Sequence, residues 1–224
     1  MNIFNIYFAP SRVFSVLKEK PQWITPFIII LVVVAATAAV TVTLTRETII
    51  ARQEEMFEQR GMTDEQIEQA KQFTSGPAIL ISSILSGVIF TALLLLIFAV
   101  VTNLFIPLFG GESGFKKVFS VICFSALVMV PAAILKLIMI AMTKSPFVTT
   151  SLALAVPSMA KTSFLYQLLA GFDFFALWEM ILVAMGISIT NSVVKKNAYI
   201  LVFVIWIVSI FVSIGLGGVF GRGM

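Results

Sequence analysis

Histidine is absent from this chain of 224 residues. That removes the side chain that most often serves as a general base near neutral pH, and with it most transition-metal sites. The single cysteine, Cys123, excludes an intrachain disulfide, and its place in an apolar run fits a buried, inert thiol without an activating neighbour. Charge is scarce too: Asp, Glu, Lys and Arg make up 12% of the residues, against about 25% in an average soluble domain. No basic stripe of the kind that follows a phosphate backbone is present, so nucleic acid is not expected as a partner. The acidic residues crowd into residues 46–76 without calcium-loop spacing, and they read as a solvated surface. Neither a metal nor another cofactor is expected. No acid, base and nucleophile come together, and the "GFD" of Gly171 to Asp173 is not the Gly-x-Gly-Asp of intramembrane aspartyl proteases. The chain is therefore not expected to be an enzyme, and no catalytic residue is assigned.

What is abundant is apolar surface. Hydrophobic residues form 59% of the chain and the mean hydropathy is +1.06. A membrane-spanning helix needs about 20 mainly apolar residues, and five stretches qualify, near 24–45, 77–107, 118–142, 171–191 and 198–219. Their apolar runs are continuous, whereas barrel strands would alternate, so the fold class is an all-α integral membrane protein with a five-helix transmembrane bundle. No long polar segment is left for a second domain, and residues 1–224 read as a single membrane domain.

Two shorter elements accompany the spans. Residues 11–20 form an amphipathic segment in which Val13, Phe14, Val16 and Leu17 oppose Arg12, Ser15 and Lys18, ended by Pro21 and followed by Trp23 at the level of an aromatic belt. It is expected to lie on the membrane surface, with Phe14 and Leu17 in lipid and Arg12, Lys18 and Lys20 against anionic headgroups. The next residues resemble a signal-peptide core with a small-x-small triplet, Ala36-Thr37-Ala38, but the apolar run continues to Thr45, which favours a retained anchor. Residues 46–76 read as an extracytoplasmic helical hairpin, one helix ending at Gly61 and the next opened by a capping box of Thr63 and Gln66. Basic residues tie between the two sides of the membrane, but Lys116-Lys117 and Lys195-Lys196 abut span ends, which places the N-terminus inside and the C-terminus outside.

Inside the spans, polar residues are the functional candidates. At about 1.5 Å per residue, Lys136 lies roughly 9 Å inside the end of the third span and Glu179 roughly 12 Å inside the start of the fourth, so the two share a depth and are expected to pair. Asp173, about 3 Å inside, points some 120° away from Glu179 and can reach water alone. Ser83, Gly87 and Thr91 give the second span one small-residue face, Ser213 and Gly217 a similar patch on the fifth, and Gly186 a further close-packing point. Pro131 frees the carbonyl of Leu127, so a bend is expected around Val130 unless Ser125 or a neighbouring helix compensates.

The stretches "FAPSRVF" before "KEKPQW", "GGESGFKKVFSVICFSALVMVPAAIL" and "LLAGFDFFALWEMILVAMGISITNSVVKKNAYILVFVIW" together resemble bacterial members of the Ypt-interacting-protein (Yip) domain family. The points of likeness include Gly110-Gly111, Asp173 to Trp178, Gly186 and Lys195-Lys196. The resemblance implies five spans, a cytosolic N-terminus and an outer C-terminus. Eukaryotic members bind Rab-type GTPases in vesicle traffic. This sequence lacks their long N-terminal region and its acidic-Leu-aromatic-Gly-Pro motif, so Rab binding is not carried over. The expected role is a membrane organiser or adaptor of the bacterial cytoplasmic membrane, with anionic lipids and a membrane-protein partner or a second copy as contacts. A small lipid or solute transporter with a polar site at Lys136, Glu179 and Asp173 is the alternative.

Overall fold

The computed structural model describes the backbone of residues 3–74, 77–146 and 148–222, and side chains within 3–69, 77–146 and 148–215. Among the described residues ten α-helices follow one another: α1 (Asn5–Phe8), α2 (Pro10–Glu19), α3 (Ile24–Gln59), α4 (Asp64–Thr74), α5 (Pro77–Phe105), α6 (Phe115–Ala126), α7 (Met129–Thr143), α8 (Phe164–Gly171), α9 (Phe174–Thr190) and α10 (Lys195–Arg222). The protein is all-α, as the apolar runs require, and an isolated bridge between Ser151 and Asp173 is the one piece of β pairing among these residues.

Four helical segments are long and apolar enough to cross a membrane: Ile24–Gln59, Pro77–Phe109, Phe115–Thr143 and Lys195–Gly215. The fifth expected span is a shorter apolar helix, Phe174–Thr190. Its N-terminal boundary lies later than the sequence suggested because Asp173 caps it and a separate short helix, α8, precedes it. α3 holds the first span and the first arm of the polar hairpin as two helical segments that meet at a kink, where the sequence placed the end of the span. Its one non-helical residue is Thr45 (φ −123°, ψ 15°), whose hydroxyl donates to the Thr41 carbonyl at 2.7 Å.

The chain divides into two compact units. The first comprises residues 1–30, 94–130 and 149–224, and its core is formed where α2, α6 and α10 pack on α9. Val13, Phe14, Leu17, Ile122, Phe124, Val183, Ile187 and Val202 are buried there. The second unit comprises residues 31–93 and 131–148, with Val42, Thr45, Ile67 and Ile140 buried. Its hairpin turns at Gly61, which adopts the left-handed conformation (φ 70°) that a residue without Cβ accepts most readily. The capping box forms as the spacing predicts: Thr63 N–H donates to Gln66 Oε1 at 3.0 Å and Gln66 N–H to Thr63 Oγ1 at 3.4 Å.

The third span is interrupted between α6 and α7, at Leu127 and Val128. The break falls ahead of the expected position at Val130, for a clear reason. Restarting the helix at Met129 puts Pro131 in its first turn, where a missing N–H costs no intrahelical bond. The Leu127 carbonyl that Pro131 cannot serve is taken up by the Tyr7 hydroxyl, which donates to it at 2.6 Å, and by Val130 N–H at 3.0 Å. Ser125, the compensating residue considered from sequence, leaves its buried hydroxyl without a partner.

Candidate functional site

The first unit collects most of the singled-out residues around α9. The segment α1–α2 runs lengthwise along this helix. Tyr7 meets Trp178 edge-on with ring centroids 6.2 Å apart, and seven residues later Phe14 reaches Gly186, eight residues further along α9. Tyr7 also bonds the Leu127 carbonyl just past the end of α6, and Phe14 and Val121 both lie against Gly186, so the segment is parallel to α9 and antiparallel to α6. Phe14 and Leu17 are fully buried in this three-helix contact. This corrects the expectation that they enter lipid. Val13, Phe14 and Leu17 match a crevice floored by Gly186 and are taken up by protein packing, while Val16, expected on the same side, stays exposed. A Cβ on Gly186 would lie 2.3 Å from Val121 Cγ1 and 3.0 Å from Phe14 Cε1, so only glycine admits this approach. Burial raises the Tyr7 phenol above its ordinary range, which keeps the hydroxyl protonated as a donor to Leu127.

The polar face of α2 stays open. Arg12, Lys18 and Lys20 are exposed. Half-buried Trp23 packs against Phe119 at 5.3 Å and Phe27 at 5.8 Å, and Phe119 stacks on Phe115 at 5.7 Å, which anchors the C-terminal end of α2 beside the start of α6.

The same end of the unit carries a clasp that sequence reasoning missed. Asn191, 1% exposed, donates from Nδ2 to the Glu112 carbonyl at 2.8 Å, and its own carbonyl accepts from Glu112 N–H at 2.9 Å. Asn197 Nδ2 reaches the Phe109 carbonyl at 3.3 Å, and Asn103 Oδ1 accepts from Gly114 N–H at 2.8 Å. Gly111 fits because a Cβ there would lie 2.3 Å from Val193 Cγ2 and 2.9 Å from the Asn191 carbonyl oxygen. Buried asparagines near span ends were the available signal, and the charged neighbours masked it.

Asp173 and Glu179 belong to the first unit and Lys136 to the second. Asp173 is a helix cap: its Oδ1 accepts from Phe175 N–H at 2.8 Å and Ala176 N–H at 3.3 Å, while Oδ2 takes the Thr150 hydroxyl. It therefore holds the start of α9 and the 149–152 loop while remaining half-exposed. The cause is the row of free N–H groups at the start of α9. Glu179, 8% exposed, lies in the first unit. Lys136, exposed, lies in the second unit.

Of the small-residue faces, Ser83, Gly87 and Thr91 are all half-buried while Leu85, Ile89 and Phe90 beside them are exposed, and a Cβ on Gly87 would lie 3.4 Å from Val34 Cγ1. That face of α5 therefore packs on α3 inside the second unit. Ser213 is exposed, its hydroxyl donating to the Ser209 carbonyl at 2.8 Å; Gly217 lies outside the residues whose side chains are described. On α10 the close approach occurs instead at Ile210, whose Cγ2 would lie 2.7 Å from a Cβ on Gly171.

The Yip1 domain family model matches residues 4–217, which takes in α1 to α9 and most of α10. The chain belongs to the Yip1 domain family. Neither the curated proteins nor the solved structures gave a match. Within this Yip1 domain the match begins at the residue before α1, so the embedded N-terminal segment is part of the family's own pattern. Among the described residues no group of three or more His, Cys, Asp or Glu is placed to hold a metal ion.

Proposed function

We propose that this Yip1-domain protein is a non-enzymatic organiser or adaptor of the bacterial cytoplasmic membrane, with its N-terminus on the cytoplasmic side and its C-terminus outside. The observation that carries the reading is the docking of α1–α2. A segment that buries Val13, Phe14 and Leu17 against α6 and α9 holds its other side, with Arg12, Ser15, Lys18 and Glu19, at a fixed place on the first unit. A rigid, charged helix face of this kind suits recognition of a membrane-protein partner or a second copy of the chain. Two polar side chains of the unit hold its structure: Asp173 caps α9 and Asn191 closes a turn. Rab-type GTPase binding is not part of the proposal.

The test is photocrosslinking from positions 12, 15 and 19 in intact membranes, with flux and lipid-flip assays on the reconstituted chain beside it. Crosslinks to a defined protein that vanish when Gly186→Leu displaces α2, together with no flux above empty liposomes, support the adaptor. Specific flux without crosslinks would replace it with the transporter reading, in which Glu179 is the buried polar group available to a permeating species.

A further inference from the structure

Six lysines come from three separated parts of the sequence: Lys18 and Lys20 at the end of α2, Lys116 and Lys117 at the start of α6, and Lys195 and Lys196 at the start of α10. The fold brings these parts to one end of the first unit. The Asn191–Glu112 and Asn197–Phe109 hydrogen bonds fasten the turn before α6 to the turn before α10, and the Phe14–Gly186 and Trp23–Phe119 contacts fix the end of α2 beside them. All six are exposed except Lys117, which is half-buried with its stem against Gly114.

Helix energetics do not explain this arrangement. No acidic residue stands in the first turn of α6 or α10, so each lysine pair sits where a helix disfavours positive charge. Trp23, packed on Phe27 and Phe119, lies at the same end, and tryptophan is a residue that marks the headgroup level of a bilayer. Charge and depth together specify an occupant.

We propose that these six lysines form one binding surface for the phosphate groups of anionic phospholipids. It rests on the membrane-embedded reading of the chain and is independent of the adaptor role. Lysine serves as a compact point charge with three donors, suited to phosphates that exchange laterally in a leaflet. The surface is assembled by the clasp and by α2 docking, so it exists only in the folded unit.

The full chain is reconstituted in mixed phosphatidylcholine–phosphatidylglycerol vesicles, extracted in mild detergent, and its retained lipid measured by mass spectrometry. The variant replaces the exposed Lys116, Lys195 and Lys196 with glutamine, and a charge-matched control replaces Arg46, Arg60 and Lys144. Each lysine near an anionic surface contributes roughly fivefold, so the first variant loses the preference for phosphatidylglycerol by about tenfold or more after screening, while the control keeps it. Equal thermal unfolding of the variants in detergent shows that the change is not unfolding. Preference retained in the lysine variant, or lost equally in the control, overturns the surface and leaves the lysines as topology signals. Displacement of the lipid by inorganic phosphate, but not by chloride of equal ionic strength, would assign the lysines to free phosphate and overturn the lipid commitment. Failure of the partner crosslinks leaves this measurement unaffected, so the two proposals fail separately.

Discussion

Replacing Tyr7 with phenylalanine isolates one hydroxyl. The ring keeps its place beside Trp178, and what disappears is the donor 2.6 Å from the Leu127 carbonyl. That carbonyl stands at the end of α6 and lacks the N–H that residue 131 would give it in a continuous helix, because residue 131 is proline. It still accepts from Val130 N–H at 3.0 Å, so the substitution does not orphan it completely. The expected cost is therefore that of an ordinary neutral hydrogen bond, about 1 kcal/mol. The context supplies the sharper test. In a Pro131→Ala background an N–H becomes available to Leu127, so Tyr7→Phe should cost less there, with a coupling of about 0.5 kcal/mol or more. Unfolding in mixed micelles, followed by fluorescence of Trp178, measures all four members of the cycle. Strict additivity, or a Tyr7→Phe variant as stable as the parent protein, would refute the account in which α1 compensates for the proline.

Gly186→Ala should destabilise the first unit by about 1–3 kcal/mol, because its Cβ would lie 2.3 Å from Val121 Cγ1, and Val121→Ala should recover part of the loss; the same micelle titration reads both. Asp173→Ala removes the cap of α9 and the Thr150 contact and should cost about 1–2 kcal/mol, whereas Asp173→Asn, which keeps a capping oxygen, should cost clearly less. Deleting residues 1–20 should lower the stability of the remaining bundle, because Val13, Phe14 and Leu17 are fully packed; a truncated chain as stable as the whole would show that α2 only rests on the surface. For Lys136 and Glu179, pairing predicts that Lys136→Met alone destabilises by about 3–5 kcal/mol and that exchanging the two residues recovers folding; single and exchanged variants of equal stability would remove the pair.

The apolar runs by themselves determined that the chain is helical and membrane-embedded, because hydrocarbon leaves a continuous hydrophobic segment few ways to satisfy its backbone. Local chemistry was equally legible: the turn at Gly61, the Thr63–Gln66 capping box and an interruption near Pro131 each depend on residues a few positions apart. The amphipathic pattern of α2 was also plain, but periodicity says only that one face avoids water. Whether that face meets lipid or protein depends on a crevice at Gly186, more than 160 positions away, and on Val121 beside it. Asp173 looked like a charge near a membrane surface until the fold placed Thr150 against it at the head of α9. The lysines read as three unrelated span-end signals, and only the hydrogen bonds of Asn191 and Asn197 with the turn before α6 set two of the pairs beside each other. Sequence determines what each segment prefers as its surroundings; the tertiary structure decides which surroundings it finds, because those are supplied by residues far away along the chain.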